Sequence, residues 1–249
     1  MFNFFANENQ KHGDRYYIGG SDYNHIVNVL RMHNGDEFLV SCGGKSDLCV
    51  IENTDNETVT ALITEENYND TSLPIEIYLF QGLPKADKLE LIIQKTVELG
   101  ISGIIPVEMS RCVVKLDDKK KNSKVSRWQS IAESAAKQSK RNVIPEVFDV
   151  LSYKEALKKA KDLDLLLVPY ESKNGMKDTA DALSVIKSGM KIGILIGPEG
   201  GFDDKEIDLA EEMGGKIISL GKRILRTETA AITATAMLML HTEINGDNL

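Results

Sequence analysis

The stretch Lys191-Ile-Gly-Ile-Leu-Ile-Gly-Pro-Glu-Gly-Gly-Phe-Asp-Asp-Lys-Glu-Ile207 decides the fold of this chain. Its first part, Ile192 to Ile196, is a continuous apolar run of the kind that forms buried parallel strands. Asp203 and Glu206 have the spacing of a capping box, which predicts that a helix begins there. A strand that leads through a glycine loop into a helix is typical of an open α/β sheet. Such sheets bind ligands in the loops at the carboxyl ends of their strands, so this loop is a candidate binding site.

A second strand and loop follow close behind, in Lys216-Ile-Ile-Ser-Leu-Gly-Lys-Arg-Ile-Leu-Arg-Thr-Glu-Thr-Ala-Ala231. The backbone between Gly221 and Leu225 could approach a planar base closely. Cations before a helix oppose the helix dipole, so their presence here indicates a functional demand. Arginines that simply point into water remain the alternative. The three cations of this loop are Lys222, Arg223 and Arg226.

The glycine loop Gly197 to Gly201 suits phosphate poorly. Pro198 has no N–H group to donate, and carboxylates at Glu199, Asp203 and Asp204 would repel an anion. The common glycine motifs for nucleotide phosphates do not follow any predicted strand. A neutral or cationic ligand held by backbone groups fits better. S-adenosylmethionine, which has a sulfonium cation and no phosphate, is such a ligand; a capped turn without any ligand is the alternative.

The chain divides by composition at Asn67-Tyr-Asn-Asp-Thr-Ser-Leu-Pro74, a polar stretch that ends in proline. Before it, short apolar runs separated by turn residues predict a β-rich domain over residues 1–72. After it, strands and helices alternate, which predicts an α/β domain over residues 73–249. The last helix, from Thr227 to about His241, is apolar almost all round. We therefore expect it to be buried in its own domain or in a subunit interface.

Positive charge is concentrated in one segment of an acidic chain. The net charge is -8 over 249 residues, whereas residues 110–141 contain ten Lys or Arg and three Asp or Glu. A basic segment on an acidic body is typical of a protein that turns one face toward nucleic acid. Taken alone, the run of charge favours a solvated lysine-rich loop at Lys119 to Lys121. The spacing of Trp128, Ile131, Ala132 and Ala135 predicts a helix from Ser123 to Ser139 after it.

Other features of the sequence exclude several classes of protein. No charged-then-apolar leader opens the chain, and apolar runs such as Ala236 to Leu240 are too short to span a bilayer. We therefore expect a soluble, cytoplasmic protein with no membrane contact. Cys42, Cys49 and Cys112 form no CxxC pair, and no His/Cys cluster has zinc spacing. Reduced thiols and no metal site are the expectation.

Four segments together resemble one known family. They are QGLPKADKLELIIQKTVELG at 81–100, RWQSIAESAA at 127–136, IGPEGGF at 196–202 and LGKRILRTETAA at 220–231. The combination of GPEGGF and LRTETA in this order is highly specific. The chain resembles the ribosomal RNA small subunit methyltransferase E family, which belongs to the SPOUT superfamily of trefoil-knotted methyltransferases.

The resemblance implies a C-terminal SPOUT α/β knot over residues 73–249, with a parallel sheet and a deep trefoil knot. It implies a small PUA-like β-barrel that binds RNA over residues 1–72. It also implies a homodimer that uses S-adenosyl-L-methionine to methylate a uridine at N3 in 16S ribosomal RNA of the small subunit. A SPOUT enzyme acting on another RNA, and a non-catalytic RNA-binding assembly factor, remain the alternatives.

The same resemblance implies roles for individual residues. We expect Arg226 to stabilise negative charge on the uracil, and Glu199 is a possible proton acceptor. A third wall of the cofactor site would run from Val168 to Glu171. The full set of expected cofactor-binding residues is Val168, Ile196, Gly197, Gly200, Leu220, Gly221, Ile224, Leu225 and Thr229. The candidates for contacts to RNA phosphates are Arg31, Lys85, Arg111, Lys137, Lys140 and Arg141, and for the last we expect Arg141→Ala to weaken RNA binding.

Overall fold

The computed structural model describes residues 1–55, 57–170 and 175–246 of the chain. Contacts between these residues divide them into two units. The first unit contains residues 1–72 together with 136–144, and the second contains residues 73–135 together with 145–249.

The first unit is built around a six-stranded sheet. The elements are β1 (Asn3–Phe5), β2 (Lys11–His12), β3 (Arg15–Ile18), α1 (Gly20–Asn24), β4 (Glu37–Cys42), β5 (Lys45–Asp55) and β6 (Thr58–Glu65). The strand order is β1-β4-β5-β6-β3-β2, and all neighbouring pairs are antiparallel except β1 with β4. Helix α1 continues into a π-helical segment, His25–Val29.

A buried carboxylate joins the strands of this sheet. Asp47 is 3% exposed and accepts hydrogen bonds from Tyr16 Oη at 2.7 Å, from Lys11 Nζ at 2.9 Å and from the backbone N–H of Asn67 at 3.0 Å. Burial acts to raise the pKa of Asp47, but the three donors outweigh it, and the pKa lies below its ordinary value. The folded first unit therefore stabilises the ionised form of Asp47.

The second unit is an α/β layer structure with an entirely parallel sheet. The elements are β7 (Glu76–Gly82), α2 (Lys88–Glu98), β8 (Gly103–Glu108), α3 (Asp118–Gln138), β9 (Glu146–Val147), β10 (Leu151–Ser152), α4 (Tyr153–Ala160), β11 (Leu165–Pro169), α5 (Met176–Leu183), β12 (Lys191–Ile196), α6 (Asp204–Glu212), β13 (Lys216–Ile218) and α7 (Thr227–Asn245). The main strand order of the sheet is β10-β8-β7-β12-β11-β13, and β9 also pairs with β8.

Both faces of this sheet are covered by helices. On one face, the buried side chains of β7, β8, β11 and β12 form a core with α4 and α6. Helix α7 packs against α2, β7 and β12, although it follows β13 at the far edge of the sheet. The chain must therefore cross back over the carboxyl ends of the strands between residues 218 and 227. The threading of this return through a knot stays a prediction from the family resemblance.

Local sequence signals explain where several helices begin. The capping box predicted at Asp203 and Glu206 is confirmed, and a second one at Ser152 and Glu155 opens α4. The expectation for α3 was wrong, because this helix begins at Asp118 rather than Ser123. The side chain of Asp117 accepts a hydrogen bond from the backbone N–H of Lys120 at 2.9 Å, which is the action of an N-cap. The three lysines thus lie in a helix and not in a loop.

The described residues contain neither a candidate membrane-spanning helix nor a candidate metal site. No helix in the described part of the chain is both long and apolar enough to cross a membrane, and no group of three or more potential ligand side chains there could hold a metal ion. The three cysteines are free thiols.

We predict that Asp47→Asn lowers the free energy of unfolding by about 2 kcal/mol at pH 7, because three donors lose a charged acceptor. The pKa of Asp47 is lowered by folding, so its contribution is present above the unfolded-state pKa of about 3.9 and is lost as the pH falls through the folded value. Denaturant unfolding at pH 7 and at pH 3 measures both effects. The two proteins should differ less at pH 3.

The matched control is Glu52→Gln on the same strand, β5. Glu52 pairs with Arg15 at 2.7 Å, but the two side chains are 33% (Arg15) and 41% (Glu52) exposed, so the loss of this ion pair should change stability less than the loss of the buried Asp47 carboxylate. An equal effect of the two substitutions would contradict the structural role assigned to Asp47.

Candidate active site

Loops at the carboxyl ends of the parallel strands enclose a cavity of about 570 Å³ in the second unit. Residues 196–202, after β12, form one side, and residues 224–227, before and at the start of α7, form another. Pro169 and Tyr170, at the end of β11, form the third wall, and Lys88 of α2 lies at the rim. The cavity therefore lies where ligand sites of open α/β sheets are found.

The structure brings five of the nine expected cofactor-binding residues to the wall of this cavity. These are Ile196, Gly197, Gly200, Ile224 and Leu225. The remaining four do not belong to the lining that the described residues form: Val168 is buried in the core below the sheet edge, Thr229 points into solvent, and Leu220 and Gly221 lie before the lining part of their loop. Glu171, the expected end of the third wall, lies outside the described residues.

The glycine loop after β12 is held by close packing against neighbouring backbone. A Cβ atom on Gly82, at the end of β7, would lie 2.7 Å from the Cδ atom of Pro198, so only glycine permits this approach. A Cβ atom on Gly200 would lie 3.0 Å from the Cβ atom of Arg111. The Arg111 guanidinium in turn donates to the carbonyl oxygen of Gly200 at 3.2 Å. Arg111, expected to contact RNA, thus also supports the loop.

The N-terminus of α6 is closed by its own side chains. Asp203 accepts from the backbone N–H of Lys205 at 3.2 Å, and Glu206 accepts from the backbone N–H of Asp203 at 2.9 Å and of Ser110 at 2.8 Å. The helix terminus beside the loop therefore has carboxylates where a phosphate would have to bind. This geometry supports the interpretation that the loop is not a phosphate site.

Glu199 is held in an ion-paired clamp. Its Oε1 atom accepts from the backbone N–H of Lys85 at 2.9 Å and from Lys88 Nζ at 2.9 Å. Lys88 Nζ also lies 3.8 Å from the carboxylate of Glu228 on α7. Partial burial acts to raise the pKa of Glu199, but the bonds from Lys88 and Lys85 prevail, and the pKa is lowered. A carboxylate stabilised in this way is a weak proton acceptor, so the geometry favours a structural role over that of a base.

Arg226 is the cation that the site leaves available. It is the N-cap residue of α7, its side chain is exposed, and it lines the cavity. Within the described ranges its guanidinium has no ion-pair or hydrogen-bond partner, in contrast to Lys88. The group is therefore free to donate to a substrate at the mouth of the cavity.

Sequence reasoning missed three residues of the site, Gln81, Lys88 and Thr227, whereas Tyr170 lies within the third wall that was expected from Val168 to Glu171. Thr227 Oγ1 donates to the carbonyl oxygen of Gly197 at 2.7 Å and accepts from Gln81 Nε2 at 2.9 Å. The ring of Tyr170 lies edge-to-face on Phe202, with centroids 6.2 Å apart. A polar residue at the end of an apolar strand was the available signal for Gln81.

The RNA candidates of the first unit differ in how accessible they are. Arg31 is exposed, has a left-handed backbone with φ 55° and lines a second cavity of about 670 Å³. Lys140 is also exposed, whereas Lys137 pairs with Asp22 at 3.1 Å. Arg141 is only partly exposed, and burial lowers the pKa of its guanidinium to about 10. Arg31 and Lys140 are thus the more accessible cations.

Comparison with known proteins identifies the family. A family model described as RNA methyltransferase domain matches residues 71–239, and one described as RNA methyltransferase PUA domain matches residues 18–64. The ribosomal RNA small subunit methyltransferase E of Bacillus subtilis is 42% identical to this chain over 233 residues, which cover 92% of this chain and 91% of that protein. The chain belongs to the ribosomal RNA small subunit methyltransferase E family. The expected fold class, a parallel α/β domain with a PUA-like domain before it, is confirmed.

Two solved structures of similar proteins contain a bound cofactor. The methyltransferase E of Neisseria gonorrhoeae, bound to S-adenosyl methionine, is 31% identical, with a TM-score of 0.82 and coverage of 96% of this chain and 97% of that chain. The putative methyltransferase Lpg2936 of Legionella pneumophila, in complex with the same cofactor, is 32% identical, with a TM-score of 0.79 and 96% coverage of both chains. The methyltransferase E fold of this chain therefore extends over nearly its whole length.

We predict that Glu199→Gln reduces the rate of methyl transfer by about tenfold or less, because the amide oxygen can still accept from the Lys85 N–H group. Loss of a general base would instead cost about 100-fold to 10,000-fold. Steady-state kinetics with a labelled methyl donor measure the difference, and Glu212→Gln on the exposed side of α6 is the control. A loss of about 1,000-fold for Glu199→Gln would show that the carboxylate is the base after all.

Proposed function

We propose that this chain binds S-adenosyl-L-methionine in the cavity of the second unit and methylates a uridine at N3 in 16S ribosomal RNA. Membership of the methyltransferase E family supports ribosomal RNA of the small subunit as the class of substrate. The observation that carries the proposal is a glycine-lined cavity beside carboxylates that disfavour phosphate, with one available guanidinium, that of Arg226, at its mouth. Two similar proteins contain this cofactor in their solved structures.

The residues of the cavity fit the proposed cofactor. Its volume of about 570 Å³ lies within the range of small-ligand sites, about 300–1,000 Å³. Ile196, Leu225 and Ala230 provide apolar walls for the adenine ring, and the nearby carboxylates of Glu199 and Glu228 suit a cation. Bound there, S-adenosylmethionine would supply an electrophilic methyl group on its sulfonium.

The protein contributes orientation and charge stabilisation to such a transfer. N3 of uridine is paired in a duplex, so the base must be unpaired or flipped before it reaches the cavity. When N3 releases its proton to solvent water, negative charge spreads to O2 and O4 of the ring. The guanidinium of Arg226 can donate to one of these oxygens and favour the anion. Glu199, with its lowered pKa, stabilises the loop beside it.

The RNA would be held by the PUA-like unit and by accessible cations. Arg31 and Lys140 of the first unit, and Lys85 of the second, are exposed and suit contacts to phosphates. We further propose a homodimer, since α7 leaves Leu240 and Ile244 exposed at 50% and 77%. The partner of the enzyme would be 16S ribosomal RNA or the small ribosomal subunit in the cytoplasm.

The test uses small subunits or 16S RNA from a strain that lacks the modification, together with the purified protein and labelled S-adenosylmethionine. We predict one N3-methyluridine, located by base-resolved mass spectrometry. Arg226→Ala should lower kcat by about 100-fold or more, because one donor to the developing anion is lost, with little change in the Kd of the cofactor. Arg223→Ala, in the same loop but outside the cavity lining, is the matched control. A methyl group on a ribose hydroxyl or on another RNA would refute the proposed acceptor.

The two neighbouring cations at the end of the basic segment should behave differently. We predict that Lys140→Ala lowers RNA affinity and reduces the salt slope of binding by about one unit, as the loss of one phosphate contact requires. Arg141→Ala should instead lower the melting temperature, because its side chain is largely withdrawn from solvent and alanine would lose that packing. RNA titrations at several salt concentrations and thermal unfolding separate the two. An unchanged salt slope for Lys140→Ala would remove that residue from the RNA surface.

A further inference from the structure

We propose that Gln81 is a positioning residue of the cofactor cavity, acting through Thr227 on the carbonyl group of Gly197. Gln81 lies at the carboxyl end of β7 and is paired in register with Ile196 of β12. It does not belong to the cavity lining, whereas Thr227 and Gly197 do. Its influence on a ligand must therefore pass through the residues that it contacts.

Gln81 is a polar residue at a fully buried position, where its unpaired oxygen lowers the stability of the fold. It is 0% exposed and follows Leu79 and Phe80, which are equally buried. Its Oε1 atom has no hydrogen-bond partner among the described residues. A buried acceptor without a partner lowers stability, so an apolar residue of similar size would serve the core better. Violations of this kind are expected at functional sites, where geometry matters more than stability.

The hydrogen bonds around Gln81 have only one possible direction. Its Nε2 atom lies 2.9 Å from the carbonyl oxygen of Gly82, which can only accept, and this contact decides which end of the amide carries the nitrogen. The same Nε2 donates to Thr227 Oγ1 at 2.9 Å, so the hydroxyl is an acceptor there. The single proton of Thr227 is consequently directed to the Gly197 oxygen, 2.7 Å away.

The hydrogen bonds from Gln81 to Thr227 and from Thr227 to Gly197, here called the relay, connect three segments that are far apart in sequence. It joins the end of β7, the first residue of the glycine loop and the first residue of α7, and the last two form opposite sides of the cavity. Because the hydroxyl proton is already committed to Gly197, Thr227 has no proton to donate to a ligand. The relay sets the separation of the two walls and the direction of the Gly197 carbonyl group, which is what a positioning residue does.

The inference rests on the proposed function only in the identity of the ligand, S-adenosylmethionine. The test replaces Gln81 by an apolar residue of similar length, Gln81→Met. We expect the melting temperature to change little, since the loss of the two hydrogen bonds from Nε2 is offset by removal of the buried, unpaired Oε1 atom. The Kd for S-adenosylmethionine, measured by calorimetry, should rise by about tenfold. In the ligand-free protein, the Gly201 N–H group, which donates to Pro198 at 2.9 Å, should exchange its hydrogen several times faster.

Matched variants separate positioning from a general loss of structure. Thr227→Val removes the hydroxyl and should reproduce the weaker binding and the faster exchange, whereas Thr227→Ser retains the hydroxyl and should restore both. Gln94→Met, on the exposed side of α2, should change none of the three readouts.

Two results would overturn the relay. One is an unchanged Kd together with unchanged exchange at Gly201 in Gln81→Met. The other is a fall in melting temperature that accounts for the loss of affinity, which would make Gln81 a purely structural residue. If the unmodified protein itself failed to bind S-adenosylmethionine, the proposed function would fail. The exchange rates of the ligand-free variants would still decide the relay.

Discussion

A single hydroxyl, that of Thr227, joins the two walls of the cavity. The loop after β12 and the loop before α7 are both irregular backbone beside an apolar space, and such backbone needs hydrogen-bond partners that do not belong to a regular element. The Thr227 hydroxyl, at the start of α7, donates a hydrogen bond to the carbonyl oxygen of Gly197. The Gln81 side chain orients that hydroxyl by donating to it. The return of the chain from β13 to α7 thus ends on a fixed contact. The remaining features of the site are arranged around a cavity whose width this contact sets.

Electrostatic pairing around the cavity separates structural charges from available ones. Lys88 lies between Glu199 and Glu228, so its partly buried ion pairs connect α2 with the glycine loop and with the first turn of α7. The lysine charge is neutralised there, and the excess of one carboxylate favours a cationic ligand nearby. Arg226, next in sequence to the relay residue, has no such partner in the described part of the chain. One guanidinium is left to stabilise negative charge that develops on a substrate.

Much of the fold follows from local sequence, whereas the site does not. The apolar strand Ile192 to Ile196 and the capping box after it are local signals, and the structure has both elements where they were expected. A sequence motif does not show which of its residues face the cavity, because that depends on the three-dimensional structure. Thr227 and Ala230 lie three positions apart on one face of α7 and line the cavity, whereas Thr229, between them, faces solvent. Gln81 and Lys88 are separated from their partners by 146 and 111 positions, and only the tertiary structure brings them together.

The basic segment shows why local charge is a poor guide to a binding surface. Residues 110–135 belong to the second unit and residues 136–141 to the first. Several of its cations are engaged by carboxylates: Lys121 with Glu108 at 3.0 Å, Arg127 with Glu90 at 2.8 Å, and Lys120 with Asp117 at 3.1 Å. Ion pairs of exposed side chains contribute little to stability, but they do reduce the local potential that a phosphate would feel. We therefore expect the cations that contact RNA to be those that are exposed and have no ion-pair partner among the described residues, a criterion that selects single residues such as Lys140 rather than the segment as a whole.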